Sequence, residues 1–163
     1  MLMTALQVPV VAAVDGAAVG GGLEILLCCD VVVAAATARF GLPELKLGLI
    51  PGAGGTQRLA RRCGEVFAAE MILTARLVTA DQALQARLIT EVTEGSALPR
   101  AREIAARVAG LAPAAVRAAK RALTGGAQLP LAAGLALERE LFVSLMSDPG
   151  TAAGLQAFMT RAR

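Results

Sequence analysis

Three glycine-punctuated stretches constrain this chain more than anything else in it. They are Gly20-Gly21-Gly22-Leu23-Glu24, Phe40-Gly41-Leu42-Pro43-Glu44 and Pro51-Gly52-Ala53-Gly54-Gly55-Thr56-Gln57-Arg58-Leu59. They set two carboxylates, Glu24 and Glu44, twenty residues apart, each beside a turn that glycine or proline makes easily. Paired carboxylates can divide general-base and general-acid work between them. A glycine turn opening a helix offers unpaired N–H groups to a developing oxyanion. Together these features point to acid–base chemistry next to a carbonyl. Singly, each carboxylate has a plainer reading. Glu24 fits a helix first turn, where negative charge is favoured, and Glu44 fits a loop after a proline.

The pattern around these stretches is strand, glycine turn, helix. Val8 to Val14 is a continuous apolar run that reads as a buried strand. Gly16 to Gly22 is a turn, Leu23 to Cys29 a short helix, and Val31 to Ala36 a second buried strand. Arg39 to Gly41 is a short extended piece before the Pro43-Glu44 turn. Helices are expected over Thr56–Arg62 and Val66–Leu73. Thr79-Ala80-Asp81-Gln82 fits a capping box, opening a helix to about Ala86. Leu88 to Val92 reads as a last strand. Beyond it the periodicity is helical throughout, near 98–110, 113–124, 129–147 and 151–162, with Gly125-Gly126 as a stop signal. The expected organisation is a strand-and-glycine part over residues 1–95 and an all-helical part over 96–163.

Composition narrows the chemistry. The chain has 163 residues, 56% of them hydrophobic and only 2% aromatic, so its core must be aliphatic. A mean hydropathy of +0.62 raises the question of a membrane. The longest uncharged run, Ala122 to Leu137, is broken by Gly125, Gly126 and Pro130, and no run reaches the roughly 18–20 residues that a bilayer needs. No basic region precedes the apolar start, so no secretory signal is expected. The net charge is +3, carried almost entirely by Arg, and with no Tyr or Trp nucleic-acid stacking is poorly supported. Three cysteines without metal spacing fit reduced thiols and a cytoplasmic setting. The absence of His removes Ser-His-Asp and Cys-His catalysis together with the commonest metal ligand, and no metal site is expected.

A dinucleotide fingerprint is the generic competitor for the first glycine cluster. The helix after it is too short, and the strand Val31–Ala36 does not end in an acidic residue. Gly52 to Gly55 is not a phosphate-binding P-loop, because no Gly-Lys-Ser/Thr follows.

Taken in order and at this spacing, the three stretches closely resemble the crotonase superfamily, with enoyl-CoA hydratase the nearest member. The resemblance extends from Gly20–Asp30 through Phe40–Glu44 and Leu47–Leu59, and on through Leu73-Thr74 and Ala80–Leu88 to Gly154–Phe158. It implies an α/β fold, a crotonase-like ββα spiral of which this chain holds the C-terminal part only, followed by a helical trimerisation region. It implies an acyl-CoA thioester substrate, a homo-oligomer (trimer or dimer of trimers), and no cofactor, coenzyme A being part of the substrate. By the same resemblance, Glu24 activates water for attack at C3 and Glu44 delivers a proton to C2. Gly21 lends an oxyanion-hole N–H, Gly52 an N–H that positions the water, and Phe158 and Arg161 lie near CoA. The family's opening segment, with its second oxyanion N–H and most CoA contacts, is expected to be absent here. Losing one such donor costs about 3–4 kcal/mol of transition-state stabilisation, so this polypeptide alone is expected to turn over poorly. Two other readings share these residues: a noncatalytic CoA-binding or assembly module, and an enoyl-CoA isomerase.

Overall fold

The computed structural model describes residues 6–161, with side chains described through Thr160. The chain divides into two compact units. One runs from Val10 to Ala105, and the other comprises Gln7–Pro9 and the chain from Ala106 onward.

The first unit is built by a repeated course of strand, strand, helix. Strands β1 (Val11–Val14) and β2 (Ala17–Val19) are joined by the bend at Asp15-Gly16, and α1 (Gly21–Leu26) carries the chain back. Strands β3 (Val31–Ala35) and β4 (Arg39–Gly41) then repeat the course. β3 lies parallel to β1 with Val11 opposite Val31, and β4 lies parallel to β2 with Ala18 opposite Phe40. A 3-10 turn (Glu44–Leu47), α2 (Gly55–Cys63) and α3 (Glu65–Leu73) follow. The third course adds β5 (Val78–Thr79), antiparallel to β4, then α4 (Ala80–Gln85) and β6 (Glu91–Thr93), parallel to β3. Two three-stranded sheets result, ordered β1-β3-β6 and β2-β4-β5. The central strand β3 is buried along most of its length, which explains its unbroken Val-Val-Val-Ala-Ala run.

The core is aliphatic, as the composition requires. Leu23, Leu42, Leu59, Met71, Leu88, Val32, Val33 and Val78 are fully buried, together with a single aromatic ring, Phe40. Helix α5 (Leu98–Ala109) begins in this unit, where Ala97 and Ala101 pack against Val33. Asp15 ties it down: its carboxylate accepts from the Ala97 N–H at 2.6 Å and from the Ser96 hydroxyl at 2.7 Å. These two donors, the backbone one first, hold the Asp15 carboxyl below its ordinary range. The division between units therefore falls inside α5, whereas the sequence pattern changes at residue 96.

The second unit is helical: the end of α5, then α6 (Pro113–Gly126), α7 (Leu131–Leu145) and α8 (Pro149–Arg161). Helix α6 runs through Gly125 and Gly126 instead of stopping before them. The glycines serve packing. A Cβ added at Gly134 would lie 3.5 Å from the Gly126 carbonyl oxygen, so α6 and α7 approach backbone to backbone. Lys120 is buried, and its ammonium donates to the Val8 carbonyl at 2.7 Å, which joins the Gln7–Pro9 segment to α6.

Several element boundaries moved for identifiable reasons. The expected strand over Val8–Val14 starts only at Val11, because Pro9 has no N–H to pair and Val10 donates to the Asp30 carboxylate. Helix α1 starts earlier than expected, at Gly21, because Gly20 turns the chain at φ 57°. Leu88 and Ile89 lie buried beyond α4, past a turn with Arg87 at φ 60°, and the strand forms three residues further on. The capping box at Thr79 forms with both of its hydrogen bonds.

The Phe40 ring carries much of the first unit's packing. Phe40→Ala is expected to lower the unfolding free energy by about 3–5 kcal/mol, read from guanidinium denaturation. A loss below about 1 kcal/mol would contradict this packing.

Candidate active site

The site is assembled where α1 begins. Gly20 takes φ 57° and ψ −128°, a conformation open to glycine, and its N–H donates to the Gly41 carbonyl at 2.9 Å. That bond fixes the start of α1 to the end of β4. Glu24 lies one helical turn further on, its N–H donating to the Gly20 carbonyl at 3.0 Å.

Glu24 is only 4% exposed, so its side chain must be hydrogen-bonded to be tolerated. Its Oε1 accepts the Ala53 N–H at 2.7 Å and the Gly55 N–H at 2.8 Å. These donors belong to the loop that enters α2. Gly54, at φ 102°, is the N-cap of α2 and has no side chain with which to cap it. Glu24 does that work from another element, meeting the helix's unpaired N–H end with a carboxylate. The fit requires Gly55, because a Cβ there would stand 2.8 Å from the Pro51 Cβ and 3.1 Å from Glu24 Oε1. Glu24 Oε2 takes no hydrogen bond among the described residues.

Glu44 opens the 3-10 turn after Pro43. Its Oε1 comes within 3.3 Å of where a Cβ on Gly20 would sit, a tight contact at a position whose φ of 57° already favours glycine. Its Oε2 is buried with no hydrogen-bond partner among the described residues. Buried acceptors are nearly always paired, and an unpaired one calls for an explanation, of which a catalytic role or a bound water is one. The two carboxylates therefore flank one turn of backbone, with Glu44 against Gly20 and Glu24 a helical turn beyond.

Gly21 is the first residue of α1 and is exposed, and helix geometry leaves its N–H without an intrahelical acceptor. Gly52 is exposed in the loop before α2, one residue ahead of the Ala53 N–H that Glu24 receives. Phe158 lies exposed on α8 in the second unit. The Arg161 side chain lies outside the described residues. Ala53 and Gly55, the donors that hold Glu24, were not singled out from sequence. The signal was the Gly54-Gly55 helix start, which promises unpaired N–H groups. Among the described residues no group of three or more His, Cys, Asp or Glu gathers as metal ligands would.

At the far end of α2 the Arg62 guanidinium donates to the Cys29 carbonyl at 2.7 Å, so α2 is bound to the α1 region at both ends. Burial pushes the neighbouring Cys63 thiol up to about 11, against a smaller opposing pull from Arg62.

Comparison with solved structures defines the class. An enoyl-CoA hydratase from Bacillus anthracis superposes with a TM-score of 0.94 at 40% identity, over 98% of this chain and 62% of that one. The fold is the crotonase-like α/β fold. The family described as enoyl-CoA hydratase/isomerase matches residues 1–163, and the chain belongs to that family. The 2,3-dehydroadipyl-CoA hydratase of Escherichia coli K12 is 45% identical over 160 residues, which are 98% of this chain and 63% of the relative. The short-chain-enoyl-CoA hydratase of Clostridium acetobutylicum is 43% identical over 157 residues, 96% of this chain and 60% of the relative. The chain thus spans less than two thirds of the length of these relatives. The match establishes the α/β crotonase-like fold. That match does not bear out the narrower description, a C-terminal part of the spiral with a trimerisation region over 96–163, which is set aside. No helix among the described residues is long and apolar enough to cross a membrane.

The fold favours the protonated Cys63 thiol, since its value of about 11 exceeds the ordinary 9.0. Its contribution to stability is complete below pH 9 and is lost as pH rises through 11. Iodoacetamide alkylation of Cys63, followed by mass spectrometry, is expected to rise with pH toward a midpoint near 11. A midpoint near 9, that of a free thiol, would show the group to be solvated.

Proposed function

We propose that this chain carries the acid–base centre of an enoyl-CoA hydratase, adding water across the 2,3 double bond of an enoyl-CoA thioester. The observation that supports it most is the pair of carboxylates brought to the start of α1, Glu24 from that helix and Glu44 from the turn after β4. One is held through Oε1 by two N–H groups, and the other has a buried oxygen without a partner. Relatives named as hydratases carry the same weight from outside the structure.

In this reading Glu24 Oε2 takes a proton from water as the water oxygen bonds to C3. The π electrons move toward C2 and the thioester carbonyl, giving an enolate. The Gly21 N–H stabilises the enolate oxygen, the role of a preorganised donor where charge develops. Glu44 then gives a proton to C2, and the product is the 3-hydroxyacyl thioester. Water supplies the hydroxyl bonded to C3, and the proton that Glu24 takes from it returns through solvent to Glu44, replacing the one given to C2 and restoring both carboxyl groups. The proposed chemistry uses side chains and backbone alone and needs no cofactor or metal. Gly52 belongs to this proposal as a further N–H donor beside the water, and the reduced cysteines favour a cytoplasmic setting.

Hydration of crotonyl-CoA by the purified chain tests the reading, with Glu24→Gln and Glu44→Gln beside it. Each substitution is expected to lower kcat by about 100-fold or more while the fold is kept. Turnover unchanged in either variant removes that carboxylate from the mechanism. A product with a shifted double bond and no hydroxyl would replace hydration by isomerisation.

Self-association is part of the same proposal. Leu123, Leu131, Phe142 and Phe158 of the helical unit are 60–79% exposed, more large apolar surface than a small soluble domain ordinarily leaves to water. Sedimentation equilibrium is expected to give a multiple of the 16.6 kDa chain mass. The mass of a single chain would refute self-association.

A further inference from the structure

The Ala53 and Gly55 N–H groups face Glu24 only while the loop over Pro51–Gly55 holds its turn. That loop has little of its own to hold it. Its residues are Pro51, Gly52, Ala53, Gly54 and Gly55, and Gly54 sits at φ 102°. Glycine at such a position pays the largest conformational entropy to be ordered.

The restraint comes from one turn into α2. Arg58 Nη1 donates to the Ala53 carbonyl at 2.7 Å. The guanidinium lies over Gly54, where a Cβ would collide with Nη1. The Arg58 backbone N–H also donates to the Gly54 carbonyl at 2.9 Å. One residue therefore grips both carbonyls between the two N–H groups that bind Glu24.

We propose that Arg58 is a positioning residue. Its guanidinium clamps the Ala53–Gly54 peptide and thereby aims the Ala53 and Gly55 N–H groups at Glu24 Oε1, leaving Oε2 directed to the reacting water. The inference rests on the catalytic reading of Glu24 given above. Arg suits the task because its planar, permanently charged fork lies flat over a glycine while one arm donates to a carbonyl. Lys offers a donor at that reach without the plane. Gly54 is then required for a second reason besides its φ, since the bare Cα makes room for the fork.

Two readouts on the full chain test this, one of them independent of activity. In Arg58→Met, amide hydrogen exchange at Ala53 and Gly55 is expected to accelerate about tenfold or more, while Val33 and Ala34 in β3 exchange at the original rate. In the same variant kcat for crotonyl-CoA is expected to fall about 10- to 100-fold with KM changed less than about threefold. Arg58→Lys is expected to recover part of both. Unchanged exchange at Ala53 and Gly55, or equal acceleration in β3, overturns the clamp. Should Arg58→Met fail to fold, Arg58→Lys is read against the wild type, and no acceleration at the two amides overturns the clamp equally. The two readings fail separately. Accelerated exchange in Arg58→Met with full turnover in Glu24→Gln sinks the catalytic role of Glu24 and keeps the clamp. Inactive Glu24→Gln with unaltered exchange in Arg58→Met does the reverse.

Discussion

The hydrogen bonds from Ala53 and Gly55 to Glu24 Oε1 join two parts of the first unit that lie about thirty residues apart in sequence. They bring a carboxylate from α1 to the bare N-terminus of α2, across the loop that also packs Pro51 on Gly55. Hydrogen bonds to a charged group contribute about 1.5–3 kcal/mol each, and here they replace the side-chain cap that Gly54 cannot supply. The same contact buries a carboxylate without leaving it unpaired. It also commits Oε1 of that carboxylate to structure. A single interaction thus sets the angle of α2, satisfies a helix end and orients the proposed base.

The spiral course of the chain makes that contact available. Because β3 returns beside β1 and β4 beside β2, the turns that follow β2 and β4 lie side by side. Gly20 follows β2 and Glu44 follows β4, so the parallel pairing itself brings Glu44 against Gly20. The Gly20 N–H to Gly41 carbonyl bond continues the pairing one step past the strands. A Cβ would press on Glu44 at Gly20, on Pro51 and Glu24 at Gly55, and on Arg58 at Gly54, and the positive φ of Gly20 and Gly54 itself favours glycine. At these glycines the backbone comes close to the two carboxylates and the Arg58 guanidinium.

Glycine has another use in the helical unit. Gly126 and Gly134 let α6 and α7 meet backbone to backbone. In a chain with so little aromatic volume, close helix approach is the available way to fill space, and small residues allow it. Lys120 shows the complementary economy: its buried ammonium is tolerated because the Val8 carbonyl receives it.

Local sequence determined a good deal of this. The unbroken apolar run of β3, the Thr79 capping box and the helices from residue 98 onward are short-range patterns, and they formed close to where periodicity put them. The ordered motif around Glu24 and Glu44 was legible too, because glycine and proline mark turns by their own backbone preferences. Tertiary structure alone decided the rest. Nothing local tells that Gly125-Gly126 continues a helix, since the reason is a partner helix with its own glycine. Nothing local tells that Ala53 and Gly55 are the donors to Glu24, whereas the Arg58 reach over Gly54 is a contact within one helical turn; the Glu24 contacts are long-range. Those contacts depend on the parallel return of the chain, which brings together residues that lie about thirty positions apart in sequence.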